Sequence, residues 1–221
     1  MAPPSLHPDE PRRPLTRKLR QWVALSPAEV AALGDLEAPA RTVARHREII
    51  TEGRNYDGIF VLIDGVAIRY RVLHDGRRQI LNVALPGDLI GFPACFFENA
   101  LYSVTALVDS VVSAVPFAQL RSLFENHPRL GAAIFWLFSC ETAMVAEHLI
   151  DVGRRSALER VAHFLLELLT RLQAIGLADE RSFHMPLTQE LLGDALGLSL
   201  PHVNRTLRRL RADGLVSIAG Q

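Results

Sequence analysis

The sequence predicts an α+β protein with a small antiparallel β-domain, a long helix and a C-terminal group of short helices. Between residues 38 and 115, short runs of β-branched and aliphatic residues are separated by three Asp-Gly pairs, which is typical of strands joined by tight turns. After Pro116 the apolar period becomes helical, and residues 129–152 contain no proline. Two short helical segments joined by a glycine follow within residues 188–211.

The composition is that of a soluble protein and identifies no partner. Of the 221 residues, 49% are hydrophobic and 22% charged, and the formal net charge is zero, so any electrostatic signal must be local. Residues 1–24 begin with a proline-rich and charged stretch that has no apolar signal core, and we expect a partly disordered arm. The most apolar stretch, residues 130–140, is about half the length that spans a bilayer. We therefore expect a cytoplasmic protein without a membrane segment.

Catalytic and metal-binding patterns are missing from the sequence. There is no Ser/His/Asp arrangement, phosphate-binding loop or paired-carboxylate motif. Cys95 and Cys140 are too few and too far apart to hold an iron–sulfur cluster or a structural zinc within one subunit. His46 and His74 are isolated, which argues against a cupin-type metal enzyme. We expect no enzymatic activity and no metal site.

The β-region is built from short strands that alternate in polarity. The run VAIRYRVL places two sets of side chains on opposite strand faces, with Val66, Ile68, Tyr70 and Val72 on one and Arg69 and Arg71 on the other. Regular spacing and glycine turns at residues 57–58, 64–65 and 75–76 favour a small sandwich or barrel. A short helix is predicted before it at residues 27–33, with Ser26 as the N-cap and Pro27 at the first position.

A short helix that stops at Pro128 and then a long apolar helix at residues 129–152 follow the β-region. The apolar positions of the long helix exceed what one helix needs against a small sheet, so it is either a buried core helix or a helix that also packs against a second subunit. Ser156 and Glu159 fit a capping box, which predicts a new helix to about residue 174 and a joint at residues 153–156.

The stretch LTQELLGDALGLSLPHVNRTLRRL predicts a helix-turn-helix. Thr188 and Ser199 can cap helices at residues 188–196 and 199–211. Gly193 has no side chain where the two helices must approach closely, and Gly197 lies at the turn. An ordinary helical hairpin is the alternative, but the caps, glycines and apolar positions agree on the helix-turn-helix.

The second helix carries positive charge without a balancing acid. With Val203, Leu207 and Leu210 on its inner face, the opposite side presents Pro201, His202, Asn204, Arg205, Arg208 and Arg209. No acidic residue occurs between positions 199 and 212, so phosphates and base edges of a DNA major groove are the expected counterpart.

These residues resemble the CRP/FNR superfamily of bacterial transcription regulators over residues 25–218. The resemblance is carried by GDLIG at residues 87–91, by the proline-started long helix and by the helix-turn-helix stretch. It implies an α+β fold with a jelly-roll-like, double-stranded β-roll, a dimerisation helix and a winged helix-turn-helix. The implied domains are an arm at 1–24, a cyclic-nucleotide-binding-like sensor at 25–127, a dimerisation helix at 128–153 and a DNA-binding domain at 154–221.

The resemblance also implies a set of DNA contacts. Base-reading side chains fall at the positions of Pro201, His202, Asn204 and Arg205. Pro201 departs from the glutamate that reads a cytosine in many members, so we expect a different operator. The wing is predicted to be short, with one strand after Gly214. The full set that we expect to contact DNA is Thr188, Gln189, Ser199, Pro201, His202, Asn204, Arg205, Arg208 and Arg209.

The effector pocket departs from that of the cyclic-AMP-binding members. The glutamate that holds the ribose and the arginine that pairs the phosphate correspond to Phe92 and Tyr102, and two helix hydroxyls correspond to Val145 and Ala146. A buried cyclic phosphate would lack its cation, so we do not expect cyclic AMP binding. We expect an apolar pocket formed by Phe92, Phe96, Tyr102, Val145, His148 and Leu149.

The predicted function is that of a dimeric, sequence-specific transcription regulator that binds a palindromic operator and acts through RNA polymerase. The sensor pocket could take an unknown apolar effector, or haem with His148 or another histidine as a ligand, as in a haem- or gas-sensing regulator of the same family, or no ligand; we expect no bound cofactor. A non-specific architectural DNA-binding protein is the alternative from another class, although it would not need the β-roll.

Overall fold

The fold is described from a computed structural model, which covers residues 13–38, 40–92 and 97–218. Eight strands form the β-domain: β1 (Ala40–Val43), β2 (Glu48–Ile50), β3 (Gly58–Asp64), β4 (Ala67–Val72), β5 (Arg78–Ala84), β6 (Leu89–Ile90), β7 (Ser103–Ala106) and β8 (Ser110–Pro116). Seven helices surround and follow it: α1 (Pro14–Arg20), α2 (Pro27–Glu37), α3 (Phe117–Asn126), α4 (Pro128–Arg154), α5 (Ala157–Ala174), α6 (Gln189–Leu196) and α7 (Leu200–Ala212).

The strands form two antiparallel sheets that face each other, which confirms the predicted α+β class and the β-roll. One sheet has the order β1-β8-β3-β6 and the other β2-β7-β4-β5. The space between them is filled by side chains from both inner faces, including Ile50, Leu62, Val104 and Val112. Alternation along each strand therefore gives one layer of core between the sheets.

Two of the three Asp-Gly pairs form the predicted turns. Gly65 and Gly76 have positive φ angles of 95° and 84°, a conformation that side chains with a Cβ rarely adopt. The turn predicted at residues 57–58 is wrong, because Gly58 begins β3. A Cβ there would lie 2.2 Å from the carbonyl oxygen of Val115, so the close pairing of β3 with β8 requires the glycine.

A helix that the sequence did not predict packs on the roll. Within the region expected to be an arm, α1 buries Leu15 and Leu19 completely. The carboxylate of Glu37 in α2 accepts hydrogen bonds from the Leu15 amide at 2.9 Å and the Thr16 hydroxyl at 2.8 Å. Residues 1–12 lie outside the described residues.

The remaining predicted helices start close to the expected positions, although α2 continues to Glu37, beyond the expected end at residue 33. Ser26 and Ser156 both form capping boxes, with Glu29 and Glu159 as the reciprocal partners. Pro128 begins α4 rather than only ending α3, because a proline is tolerated in the first turn of a helix, where no amide partner is lost. The joint between α4 and α5 is the extended residue Arg155, which lies within the expected 153–156.

The C-terminal helices pack on the outer face of the roll and form a second buried cluster with it. Ile68 and Ile80 of the roll belong to the same buried cluster as Phe164, Leu192 and Val203 of the helical part. At the rim, the Arg78 guanidinium donates to Asp194 at 2.8 Å, and the Gln79 amide donates to the Ala195 carbonyl at 3.1 Å. The sheet formed by β2, β7, β4 and β5 is thus covered on both faces.

The strand predicted after Gly214 is absent from the described residues. Residues 216–218 have no regular structure, and residues 219–221 lie outside the description. A β-strand requires a neighbouring strand with which it exchanges backbone hydrogen bonds. The isolated bridge between Ala178 and Phe183 does not involve residues 216–218.

The helix-turn-helix depends on two glycines. Gly197 ends α6 in the left-handed conformation, with φ 65°. Gly193 lies beneath the turn, where an added Cβ would be 2.6 Å from the Leu198 carbonyl oxygen. Since that oxygen belongs to the backbone, it could move away only if the turn between α6 and α7 moved with it.

Gly193→Ala should therefore lower the free energy of unfolding by roughly 1–3 kcal/mol, since strain at a backbone contact outweighs the better helix propensity of alanine. Gly131→Ala in α4 is the matched control. Its Cβ would make ordinary contact with Phe124 at 3.4 Å, so we expect a neutral to slightly stabilising change. Urea unfolding followed by circular dichroism measures both, and equal stability of the two variants would contradict a close approach at Gly193.

Candidate functional site

The helix α7 separates its apolar and basic residues as predicted. Val203, Leu207 and Leu210 are buried under α5 and α6. The opposite face is exposed and carries Pro201, His202, Arg205, Arg208 and Arg209. Asn204 is half-buried on the flank, where its amide donates to the Leu200 carbonyl at 3.2 Å. The helix thus presents an intact cationic ridge to solvent.

The two caps of the helix-turn-helix differ. The Thr188 hydroxyl accepts a hydrogen bond from the Leu191 amide at 3.2 Å, as predicted. Ser199 stands at the N-cap position of α7, but its side chain makes no capping hydrogen bond, so that prediction is wrong. Pro201 removes one of the amides that a cap would satisfy, and the His202 amide donates to the backbone carbonyl of Ser199 at 2.9 Å instead. Gln189, the first residue of α6, is half-buried.

Positive charge on the ridge has little compensation within the described residues. The nearest ion pair joins Arg209 to Asp213 beyond the end of α7, at 3.7 Å and with both side chains largely exposed. Arg205 and Arg208 form no ion pair with any residue that the structure describes. Exposed pairs of the Arg209 type contribute little energy, so all three guanidiniums remain available to an anionic partner.

A cavity of about 240 Å³ lies where the roll meets α1, α4 and α5. Most of its wall is apolar, and charged groups from different elements also line it. Six lining residues represent these parts of the chain: Trp22, Arg69, Ile90, Trp136, Glu141 and Arg171.

The pocket residues expected from the sequence occupy several separate places. The Phe92 ring stacks on Phe138 with centroids 3.6 Å apart, and the Tyr102 hydroxyl donates to the Phe92 carbonyl at 2.8 Å. Val145 and Leu149 are exposed on α4 and do not line the cavity. Phe96 lies outside the described residues. The structure therefore does not bring the five described residues of this set together in the cavity.

His148 is turned away from the cavity towards α5. Its Nε2 lies 2.5 Å from the Glu167 carboxylate, and this hydrogen bond raises the pKa of the imidazole. Glu167 also accepts from Arg171, which in turn donates to Asp88 of the roll at 3.0 Å. The histidine therefore belongs to an ion-pair chain between α4, α5 and the roll.

Arg69 is the cavity residue whose importance the sequence did not reveal. It extends from β4 into the interior, where its guanidinium pairs with Glu141 of α4 and lies 4.9 Å from the centre of the Tyr102 ring. Burial disfavours its charge, but Glu141 and Tyr102 more than compensate and raise the pKa of Arg69. The alternation of VAIRYRVL predicted that Arg69 lies on the strand face opposite Ile68. That face is buried because both faces of the sheet are covered.

Comparison with known proteins identifies both parts of the chain. A cyclic nucleotide-binding domain model matches residues 40–127, and a Crp-like helix-turn-helix domain model matches residues 159–221. The nitrogen fixation regulation protein FixK of Azorhizobium caulinodans is 32% identical over 193 residues, which cover 87% of this chain and 75% of the relative. This chain belongs to the CRP/FNR family of transcription regulators.

Further CRP/FNR proteins agree with this assignment. The transcriptional activator protein FnrL of Cereibacter sphaeroides is 27% identical over 184 residues, covering 82% of this chain and 73% of the relative. The solved structure of FixK2 from Bradyrhizobium japonicum superposes with a TM-score of 0.73 at 28% identity, covering 82% of this chain and 88% of that one. As a CRP/FNR protein, the chain is a DNA-binding transcription regulator and not an enzyme.

The position of each arginine on α7 predicts two different roles on DNA. Arg205 lies in the first two turns, where side chains of a CRP/FNR recognition helix reach base edges. Arg205→Ala should cost roughly 1–3 kcal/mol on the operator and little on random DNA. Arg209→Ala, one turn later, should weaken binding to both duplexes. It should also reduce the slope of log affinity against log salt by about one unit for each phosphate that Arg209 neutralises.

Fluorescence anisotropy titrations over a salt series separate these outcomes. One titration uses an operator selected from a random pool, and the other uses a random duplex. Neither substitution should change thermal stability, since both side chains are exposed. A parallel loss on both duplexes for Arg205→Ala, with the specificity ratio unchanged, would show that Arg205 does not read sequence.

Proposed function

We propose that the protein is a cytoplasmic homodimer that binds a palindromic operator in double-stranded DNA, acts through RNA polymerase and responds to an effector other than cyclic AMP. The observation that carries the proposal is the ridge of α7, which is exposed, cationic and free of acids from Leu200 to Ala212. Such a ridge matches the major groove, whose floor presents acceptors to arginine and whose edges are phosphates.

The side chains on the exposed face of α7 determine which bases of the operator the protein can recognise. Arg205 can donate two hydrogen bonds to a guanine, whereas Pro201 can neither donate nor accept one through its side chain. We therefore expect the operator to differ at the base pair that a glutamate would read in other family members. If the titration shows equal affinity for operator and random DNA, the protein is instead an architectural DNA-binding protein without sequence preference.

The dimer is proposed from the free face of α4. Phe135, Ser139, Thr142, Ala146 and Leu149 are all exposed, and they are separated by steps of four and three residues. Such spacing forms the seam of a two-stranded coiled coil, in which small residues let two helices approach closely. Phe135 and Leu149 are 73% and 74% exposed, which is unusual for large apolar residues in a helix that is otherwise anchored on the roll.

A second copy explains this face better than a membrane does. Within the described residues, α4 is the one helix long and apolar enough to cross a bilayer. Its other side, however, packs on the roll through Leu130 and Ile134, so lipid could not surround it. A symmetric dimer through α4 would also place two α7 helices for the two halves of a palindrome.

The effector is proposed to be neither cyclic AMP nor haem. Phe92 stands where a ribose-binding glutamate would be needed, and its ring is packed on Phe138. The cavity does contain a cation, Arg69, that the sequence did not reveal, but Glu141 already pairs with it. His148 does not fit a haem site in this cavity, because it does not line the cavity and its Nε2 is bonded to Glu167.

Leu149→Glu should convert the dimer to a monomer at micromolar concentration, because two facing carboxylates would be buried in the seam without partners. Sedimentation velocity measures the change. Operator affinity should fall at the same time, since a single half-site supplies about half of the contacts.

Leu73→Glu is the matched control, since it replaces an exposed leucine in the β4–β5 hairpin, away from α4. It should leave the protein dimeric. A wild-type protein that sediments as a monomer and binds DNA as single subunits would refute the proposed dimer.

A further inference from the structure

The cavity is lined by both aromatic and charged side chains. Trp22, just after α1, and Trp136 of α4 lie in its wall with ring centroids 3.9 Å apart. Arg69 and Glu141 line the same cavity and pair with each other. Trp136 and Glu141 are five positions apart on α4, which separates them by about 7.5 Å along the helix axis. A molecule with one ring or a short alkyl chain and one polar head matches this length.

The volume of the cavity supports the same size. A dry cavity of roughly 150 Å³ is sufficient for benzene, so about 240 Å³ can take one ring with a short side chain. Leu89, Leu137 and Met144 add further apolar wall. The body of the ligand should therefore be apolar.

The linked charged side chains of the wall select for an anion. The Arg69 guanidinium pairs with Glu141, yet its Nε is buried with no hydrogen-bond acceptor among the described residues. Arg171 of α5 is linked to the same pair, because the Asn82 side chain accepts from Arg171 at 3.2 Å and donates to Glu141 at 3.3 Å. A ligand carboxylate would compete with Glu141 for Arg69 and is the planar anion that a guanidinium binds best.

We propose that this cavity binds a small apolar monocarboxylate, with its body against Trp22 and Trp136 and its carboxylate on Arg69 in place of Glu141. The proposal rests on the effector-responsive regulator proposed above and specifies its ligand class. Because Glu141 belongs to α4 and Arg171 to α5, exchange of the Arg69 counterion changes the packing of the dimerisation helix and of the DNA-binding part together.

Intrinsic fluorescence offers a direct test, since Trp22 and Trp136 are the only tryptophans in the sequence and both line the cavity. The full-length protein is titrated with 3-phenylpropanoate, with its neutral amide and with cyclic AMP. We expect a saturable change in emission for the acid, an affinity at least about tenfold lower for the amide, and no change for cyclic AMP.

Two substitutions should act in opposite directions. Arg69→Gln should abolish the preference for the acid over the amide, whereas Glu141→Gln should raise the affinity for the acid because it removes the internal competitor. Arg71→Gln is the matched control, because Arg71 is on the same strand but exposed and paired with Glu52. It should leave both affinities unchanged.

The proposal is overturned if the acid gives no saturable change up to about 10 mM, if acid and amide bind equally, or if Glu141→Gln weakens binding of the acid. Operator binding without added ligand is measured on the same samples. Loss of the ligand effect with sequence-specific DNA binding intact refutes only this inference, whereas equal binding of operator and random duplex refutes the proposed function.

Discussion

The contact between the outer face of β5 and the C-terminal helices is the constraint on which the rest of the structure depends. Ile80 and Val83 are buried there against the same cluster that holds Phe164, Leu192 and Val203. Burial of this apolar surface is the main favourable term that fixes the helical part on the roll. Because Val203 of α7 faces into this cluster, the basic ridge of α7 must face out.

Asp88 supplements that apolar contact with charge. Its carboxylate pairs with Lys18 of α1 and Arg171 of α5 and accepts from the Leu85 amide of its own loop at 2.9 Å. Burial would raise the pKa of Asp88, but the two cations outweigh it and the pKa is lowered. Arg17 of α1 also donates to the Ile175 carbonyl beyond the end of α5 at 3.1 Å, so α1 joins the sensor and DNA-binding parts.

The sequence predicted those features that are set by neighbours along the chain. The capping box at Ser156, the turn at Gly197 and the division of α7 into apolar and basic faces are local patterns, and all three are present. Gly193 was predictable for the same reason, since the close approach it allows is only five residues away at Leu198.

Features that depend on contacts distant in sequence were not predictable. The helix α1 is short, and it is stabilised by Glu37 and the roll rather than by its own pattern. From its strand alone Arg69 would be expected to be exposed, and it is buried because α4 covers it. The cavity exists only where α1, α4, α5 and the roll meet.

Native-state hydrogen exchange tests most directly the central claim that sensor and DNA-binding parts share one core. A shared core predicts that the slowest amides of β5 and of α6 open with free energies within about 1 kcal/mol of each other, and that Asp88→Asn lowers both together. If the α6 amides exchanged through an opening several kcal/mol easier than that of β5, with β5 unaffected by Asp88→Asn, the shared core would be contradicted.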